Sequence, residues 1–76
     1  MSKLPAVSSS DLIRVVKKLG FVEKKQKGSH LHLKRESDKR RITIPIHKGR
    51  DIPKGTLTGI LKDAGISIEE FIKNLQ

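Results

Sequence analysis

The sequence predicts an α+β fold, α-β-β-β-α with a short extra C-terminal helix, in which helices back a three-stranded antiparallel sheet. Two apolar patterns at helical spacing, one after Ser8 and one after Pro53, enclose a middle stretch where apolar residues recur at every second position. No internal repeat or low-complexity tract breaks that order. The chain of 76 residues has room for one small domain, 1–76, with residues 1–6 around Pro5 as a loosely ordered lead-in.

The first helix is expected over about Ser9 to Leu19. Leu12, Ile13, Val15, Val16 and Leu19 share one face, and Gly20 supplies a left-handed stop. Ser8 as N-cap puts Asp11 in capping-box position and sets Val7 against Leu12 as a hydrophobic staple. From Phe21 the spacing changes to three short strands, punctuated by Lys27-Gly28 and by Glu36-Ser37-Asp38-Lys39. In the second strand Ser29, Leu31 and Leu33 fall on one face and His30, His32 and Lys34 on the other. In the third, Ile42, Ile44 and Ile46 oppose Arg41, Thr43 and Pro45, and Pro45 suits an edge strand or a strand end. Leu57, Ile60, Leu61 and Ala64 place a second helix at about Lys54 to Ala64, closed by Gly65. Ser67 then caps a short third helix with Glu70 in capping-box position and Ile66 stapled on Phe71, so that Phe71, Ile72 and Leu75 close the core.

Composition narrows the function. Seventeen Lys and Arg against eight Asp and Glu give a net charge of +9 and a pI near 10.3, which points to a polyanionic partner, nucleic acid first. Two Phe, with no Tyr or Trp, leave few platforms for stacking bases, so backbone or shape recognition fits better. The absence of Cys excludes disulfides, thiolate metal sites and cysteine nucleophiles, and fits a reducing, cytoplasmic setting. No apolar run approaches the roughly 20 residues that span a bilayer, so no membrane association is expected. A domain this small spends most of its apolar residues on packing, which argues against a deep substrate cavity.

No Ser-His-Asp order, phosphate-cradling glycine loop or cysteine site is recognisable, and the histidines alone remain as acid–base groups. His30 follows Lys27-Gly28-Ser29 at the head of a strand expected to lie centrally, on the face the leucines leave open. An imidazole, with a reference pKa of about 6.5, can exchange a proton near neutrality, as cleavage at an RNA phosphate requires. The same residue also reads as an ordinary exposed polar residue on a strand. His32 and His47 with His30 can be drawn as three metal ligands, but no carboxylate stands at a partner spacing and nothing places His47 nearby. No metal or cofactor is assigned.

Candidate phosphate contacts are Lys25, Lys27, Ser29, Arg41 and Lys48, with Lys54 at the start of the second helix, and Gly28 and Gly55 are compatible with close approach of a phosphate backbone. Other cations of the same stretches, Lys24, Lys34, Arg35, Lys39, Arg40 and Arg50, add to the basic density around the sheet.

Gly28-Ser29-His30, Ile44-Pro45-Ile46-His47, Lys54-Gly55-Thr56-Leu57 with Ile60-Leu61, and Ala64-Gly65-Ile66-Ser67 together resemble the HicA toxin family of mRNA interferases. The likeness runs from about Leu4 to Phe71 and includes Lys18-Leu19-Gly20-Phe21. The resemblance implies a fold similar to a double-stranded-RNA-binding domain. It also implies an endoribonuclease of a type II toxin–antitoxin system, acting on mRNA with an essential histidine in the Gly-Ser-His motif, here His30. A HicB-type antitoxin protein would cover that site. A non-catalytic RNA-binding module and a basic protein-interaction partner are the competing readings.

Overall fold

A computed structural model describes residues 4–75, and the elements follow the expected order. They are α1 (Ser9–Lys18), β1 (Val22–Lys27), β2 (His30–Arg35), β3 (Arg40–Pro45), α2 (Lys54–Ala64) and α3 (Ile68–Leu75). The first three residues of the expected lead-in lie outside the described part; of the rest, Leu4 packs against the core.

Helices α1 and α3 begin where side chains satisfy free amides. At α1 the Ser8 hydroxyl accepts from the Asp11 amide at 3.1 Å while the Asp11 carboxylate accepts from the Ser8 amide at 3.4 Å, the reciprocal box the sequence predicts. Such a cap contributes about 1 kcal/mol. At α3 the Ser67 hydroxyl accepts from the Glu70 amide at 3.0 Å, and Ile66 and Phe71 are both buried beside it. The start of α2 differs: Pro53 is its N-cap, no side chain caps it, and no acidic residue stands in its first turn. Its end is conventional, with Gly65 at φ 69° in the left-handed region.

The strands form one antiparallel sheet in the order β1-β2-β3. Leu31, Leu33, Ile42 and Ile44 turn to the helices and join Leu12, Val15, Val16, Leu57, Leu61 and Phe71 in one continuous core. Helical cover extends over β2 and β3 only. Every residue of β1 is exposed, and Val22 keeps 54% of its surface. Lysine-rich composition makes this outer strand a poor template for edge-to-edge pairing.

A β-bulge in β1 sets which of its lysines share a face with the histidines. Glu23 pairs with Leu33 but Lys25 pairs with His32, so Lys24 is the extra residue. Beyond it Lys25 and Lys27 lie directly across from His32 and His30. Without the extra residue, Lys24 and Gln26 would hold those places.

Arg35, the last residue of β2, joins the ends of both long helices. Its guanidinium donates to the Leu19 carbonyl at 3.0 Å and to the Ala64 carbonyl at 2.8 Å, the C-terminal turns of α1 and α2. It also grips Asp38 through two bonds of 3.1 and 2.7 Å and lies 4.7 Å from the centroid of the Phe21 ring. Arg40 adds a bond to the Asp63 carbonyl at 3.1 Å. Sequence reading counts Arg35 and Arg40 in the basic density around the sheet, whereas in the structure both are engaged within the protein. The fork geometry of the guanidinium explains this, since it can serve a carboxylate and two carbonyls at once.

These contacts fix the direction of the helices. The Ser8 end of α1 bridges to Asp51, and the Ile52 amide donates to the Val7 carbonyl at 2.8 Å, just before α2 begins. Both helices therefore start on the side of Asp51–Pro53 and finish at Arg35. Helix α2 runs back along β3, from the Pro45 end to the Arg40 end.

Replacing Arg35 by Met should leave two partly buried carbonyls unpaired and lower stability by about 2–4 kcal/mol in urea denaturation. A loss under 0.5 kcal/mol would show that the fork is dispensable. Asp38 provides the pH counterpart. The hydrogen bond from Arg35 holds its carboxyl down from an ordinary 3.8 to about 2. A depressed carboxyl stabilises the fold fully above its unfolded value, and that contribution disappears as pH falls from about 4 to about 2. Asp38→Asn should accordingly flatten the stability profile across this window, as followed by denaturation at stepped pH.

Candidate functional site

His30 opens β2, the central strand, immediately after a two-residue hairpin turn. The Lys27–His30 pair closes that turn, and Gly28 takes φ 59° at its first central position. A type II′ turn requires this of glycine. A Cβ there would meet open space, so the demand is conformational rather than steric. Gln26 donates to the Gly28 carbonyl at 3.2 Å and further supports the turn.

Ser29 contributes through its backbone. Its carbonyl accepts from the Ile46 amide at 2.6 Å, which ties the hairpin to the loop that leaves β3. The Gly-Ser-His and Ile-Pro-Ile-His segments, 15 residues apart in sequence, meet here because Pro45 lies across from His30. Pro45 ends an edge strand, where its missing amide hydrogen costs little.

The face of the sheet away from the helices carries His30, His32 and Lys34 on β2, with Lys25 and Lys27 opposite on β1 and Arg41 and Thr43 opposite on β3. His30 is exposed, while His32 is half-buried with its Nδ1 3.1 Å from the Thr43 hydroxyl. An open depression of about 610 Å³ lies on this face around His32, Lys25, Arg41 and Thr43, with Glu36 among its lining. It does not reach His30.

Charge is divided between the two ends of the sheet. Glu36 is contacted by Lys24, Lys34 and Lys39 at 3.9, 3.5 and 2.9 Å, and its carboxyl is held below the usual range, chiefly by the Lys39 hydrogen bond. Asp38 takes Arg35 and Arg40, Asp11 takes Arg14 at 3.7 Å, and Glu23 pairs with Lys17. Among the described residues, no carboxylate lies within ion-pair distance of Lys25, Lys27, Arg41, Lys48, Arg50 or Lys54. The density is therefore high near His30, but with different members from those the sequence suggests: Arg35, Lys39 and Arg40 sit at the opposite end.

The remaining candidates lie in the loop after β3 and at the start of α2. His47 and Lys48 are exposed two and three residues beyond Pro45, and Arg50 and Lys54 are exposed further along. Asp51 is the acidic residue of this loop. Because α2 runs back along β3, its uncapped N-terminus belongs to the end of the molecule that carries His30. The structure thus gathers His30, Lys25, Lys27, Gly28, Ser29 and Arg41 on one sheet face and its turn, with Lys48 and Lys54 on adjoining segments. Among the described residues, no group of three or more His, Asp or Glu side chains is arranged to hold a metal ion.

Thr43 and the bulge are what sequence reading misses. Alternation does place Thr43 on the open face, but its bond to His32 depends on cross-strand register. The bulge leaves no mark in a run of Lys, Lys, Gln and Lys.

No helix among the described residues is long and apolar enough to cross a membrane. No curated protein matches the chain. A protein-family model described as HicA toxin of bacterial toxin-antitoxin systems matches residues 9–66, from the first residue of α1 to the staple residue before α3. That stretch holds the hairpin, the open face and α2, and with well over half of its length matched, this chain belongs to the HicA toxin family.

Proposed function

We propose that this toxin is a cytoplasmic endoribonuclease that cleaves mRNA through His30, and that a HicB-type antitoxin restrains it by covering the same face. The observation that carries this reading is the setting of His30: an exposed imidazole at the head of the central strand, on a face whose cations Lys25, Lys27 and Arg41 have no carboxylate partner among the described residues. Family membership supports the toxin role, and the geometry supports the chemistry.

RNA carries its own nucleophile. In transesterification the 2′-hydroxyl attacks the adjacent phosphorus, losing its proton to a base, while the 5′-oxygen departs and takes a proton from an acid. His30 supplies one of these two transfers, as imidazole does best near neutral pH. The pentacovalent intermediate carries additional negative charge. Lys27, directly across from His30, is placed to stabilise it, and Lys25 and Arg41 to hold the flanking backbone. Gly28 and Ser29 present main chain without bulk beside the same phosphate. Lys48 and Lys54 extend the basic surface toward α2, whose uncapped amides also favour an anion.

Phosphate contacts of this kind position a strand without reading bases. A face with no Phe, Tyr or Trp offers few stacking platforms for bases, so binding should be broadly tolerant of sequence.

His30→Ala removes an exposed side chain and no core contact. It should retain the melting temperature and much of the RNA affinity while losing cleavage by about 10²-fold or more, and a 2′-deoxy substitution at the cut site should abolish cleavage by the unmodified protein. A His30→Ala protein that cuts RNA normally would refute the assigned role. Wild-type protein that binds RNA and never cuts it would establish the binding-module reading instead. RNA affinity should fall with salt at a log–log slope of about −0.7 per contacted phosphate, steeper than roughly −2 in total. A slope near zero would remove the polyanion reading altogether.

The antitoxin provides an independent check. A partner selective for the folded toxin should raise its melting temperature and, on co-expression, relieve growth arrest caused by the toxin alone. Soluble, folded toxin that proves harmless in a permissive host would contradict the assignment.

A further inference from the structure

The depression on the open face is lined by His32 and not by His30, and the two histidines are held differently. His32 is fixed by the Thr43 hydroxyl directly across the β2–β3 pair, whereas His30 has Pro45 in that position. In the tautomer in which the Thr43 hydroxyl donates to Nδ1, the ring hydrogen lies on Nε2, the nitrogen that Thr43 does not engage. Two cations line the depression beside this ring: Lys25 from β1, and Arg41 two residues from Thr43 on the same face of β3. Lys34 is not a third, because it is engaged with Glu36. The carboxylate at the rim is in turn offset by Lys24, Lys34 and Lys39, so it does not cancel Lys25 and Arg41.

The spacing relative to His30 completes the argument. Residues i and i+2 of a strand project from the same face roughly 6.5–7 Å apart, a distance comparable to that between successive phosphates along an RNA strand. A phosphate at His30 would therefore place its neighbour over the depression. Nothing in the core depends on these polar groups, since Leu31 and Leu33 carry the packing of the strand from its other side.

We propose that this depression binds the phosphate next to the scissile one in a single RNA strand, with Arg41 and Lys25 meeting its charge and His32, held by Thr43, donating from Nε2. The inference rests on His30 as the cleavage residue and deepens that reading by assigning a second, non-reacting phosphate. His32 and Thr43 are then positioning residues. They act on substrate binding and not on proton transfer.

The test compares a dinucleoside monophosphate with the same molecule carrying one more phosphate at its 5′ or 3′ end, 2′-deoxy at the scissile position so that only binding is read. For the wild type, the added phosphate at one of the two ends should tighten binding about tenfold, the scale of one charge-assisted hydrogen-bonded contact. That gain should shrink to about twofold or less in Thr43→Val, His32→Gln and Arg41→Gln. Thr43→Val keeps the branched shape that a strand favours, so it reports on the hydroxyl even if Arg41→Gln fails to fold. On a cleavable oligonucleotide the same variants should raise KM, with kcat falling far less than in His30→Ala. A gain that is unchanged in all three variants would overturn the subsite. So would a kcat loss in His32→Gln equal to that of His30→Ala, which would make His32 part of the chemistry. Wild-type protein that cuts RNA yet gains nothing from the added phosphate refutes the subsite alone, whereas wild-type protein that does not cut RNA brings down the cleavage reading with it.

Discussion

Arg35 is the interaction on which the arrangement of the other parts depends. A helix leaves its last carbonyls without partners, and a small domain has little buried surface with which to offset such losses. Here one guanidinium on the central strand serves a terminal carbonyl of α1 and another of α2, while Asp38 fixes its plane and Phe21 covers it. The two helices must then end together. Their starts are brought to the opposite side, near Asp51–Pro53, where the loop from β3 also arrives. The end of the sheet that carries His30 is consequently the end toward which α2 points its amide-rich terminus, and no residue of the Arg35 cluster need be exposed there.

The same division governs the cations. A chain with +9 net charge repels itself, and the cheapest remedy is to place its carboxylates among its lysines and arginines. The pairs formed involve Asp11, Glu23, Glu36 and Asp38, none of which lies on the stretch of open face from the bulge to the hairpin turn. Repulsion on that stretch is left unrelieved. The bulge intensifies it by adding Lys25 and Lys27 to the histidine face in place of Lys24 and Gln26. For folding alone this is an unfavourable choice. It becomes favourable once a polyanion lies across the sheet, where each of these cations releases a condensed counterion.

How much of this was legible in the sequence depended on whether the signal was local. Ser8 and Asp11, Ser67, Gly65 and the alternation of Leu31, Leu33, Ile42 and Ile44 act within a few residues of themselves, and the elements they predict appear with boundaries shifted by one residue at most. Phe21, by contrast, begins no strand: it turns inward to the core, and β1 starts at Val22. The position of His30 on the open side of a central strand was equally accessible, since the Gly28 turn fixes where the strand begins. Arg35 was not. Its partners Leu19 and Ala64 lie 16 and 29 residues away, and nothing in a run of Lys34, Arg35, Lys39, Arg40 and Arg41 distinguishes a carbonyl-binding arginine from a phosphate-binding one. The bulge and the His32–Thr43 bond escaped for the same reason, because cross-strand register decides both.

Two histidines on one strand face now differ in a way their spacing did not suggest. His30 stands at the turn, across from Lys27 on one side and, on the other, from a proline that offers no side-chain hydrogen bond to orient its ring. His32 is half-buried and oriented by a hydroxyl, which suits a group that must hold something still. Proton transfer needs a ring able to change its partners during the reaction, and binding needs one that does not. The cross-strand partners Pro45 and Thr43 therefore separate the two rings: the third strand, through the residue it sets across from each, orients one imidazole and not the other, which is the difference the proposed roles require.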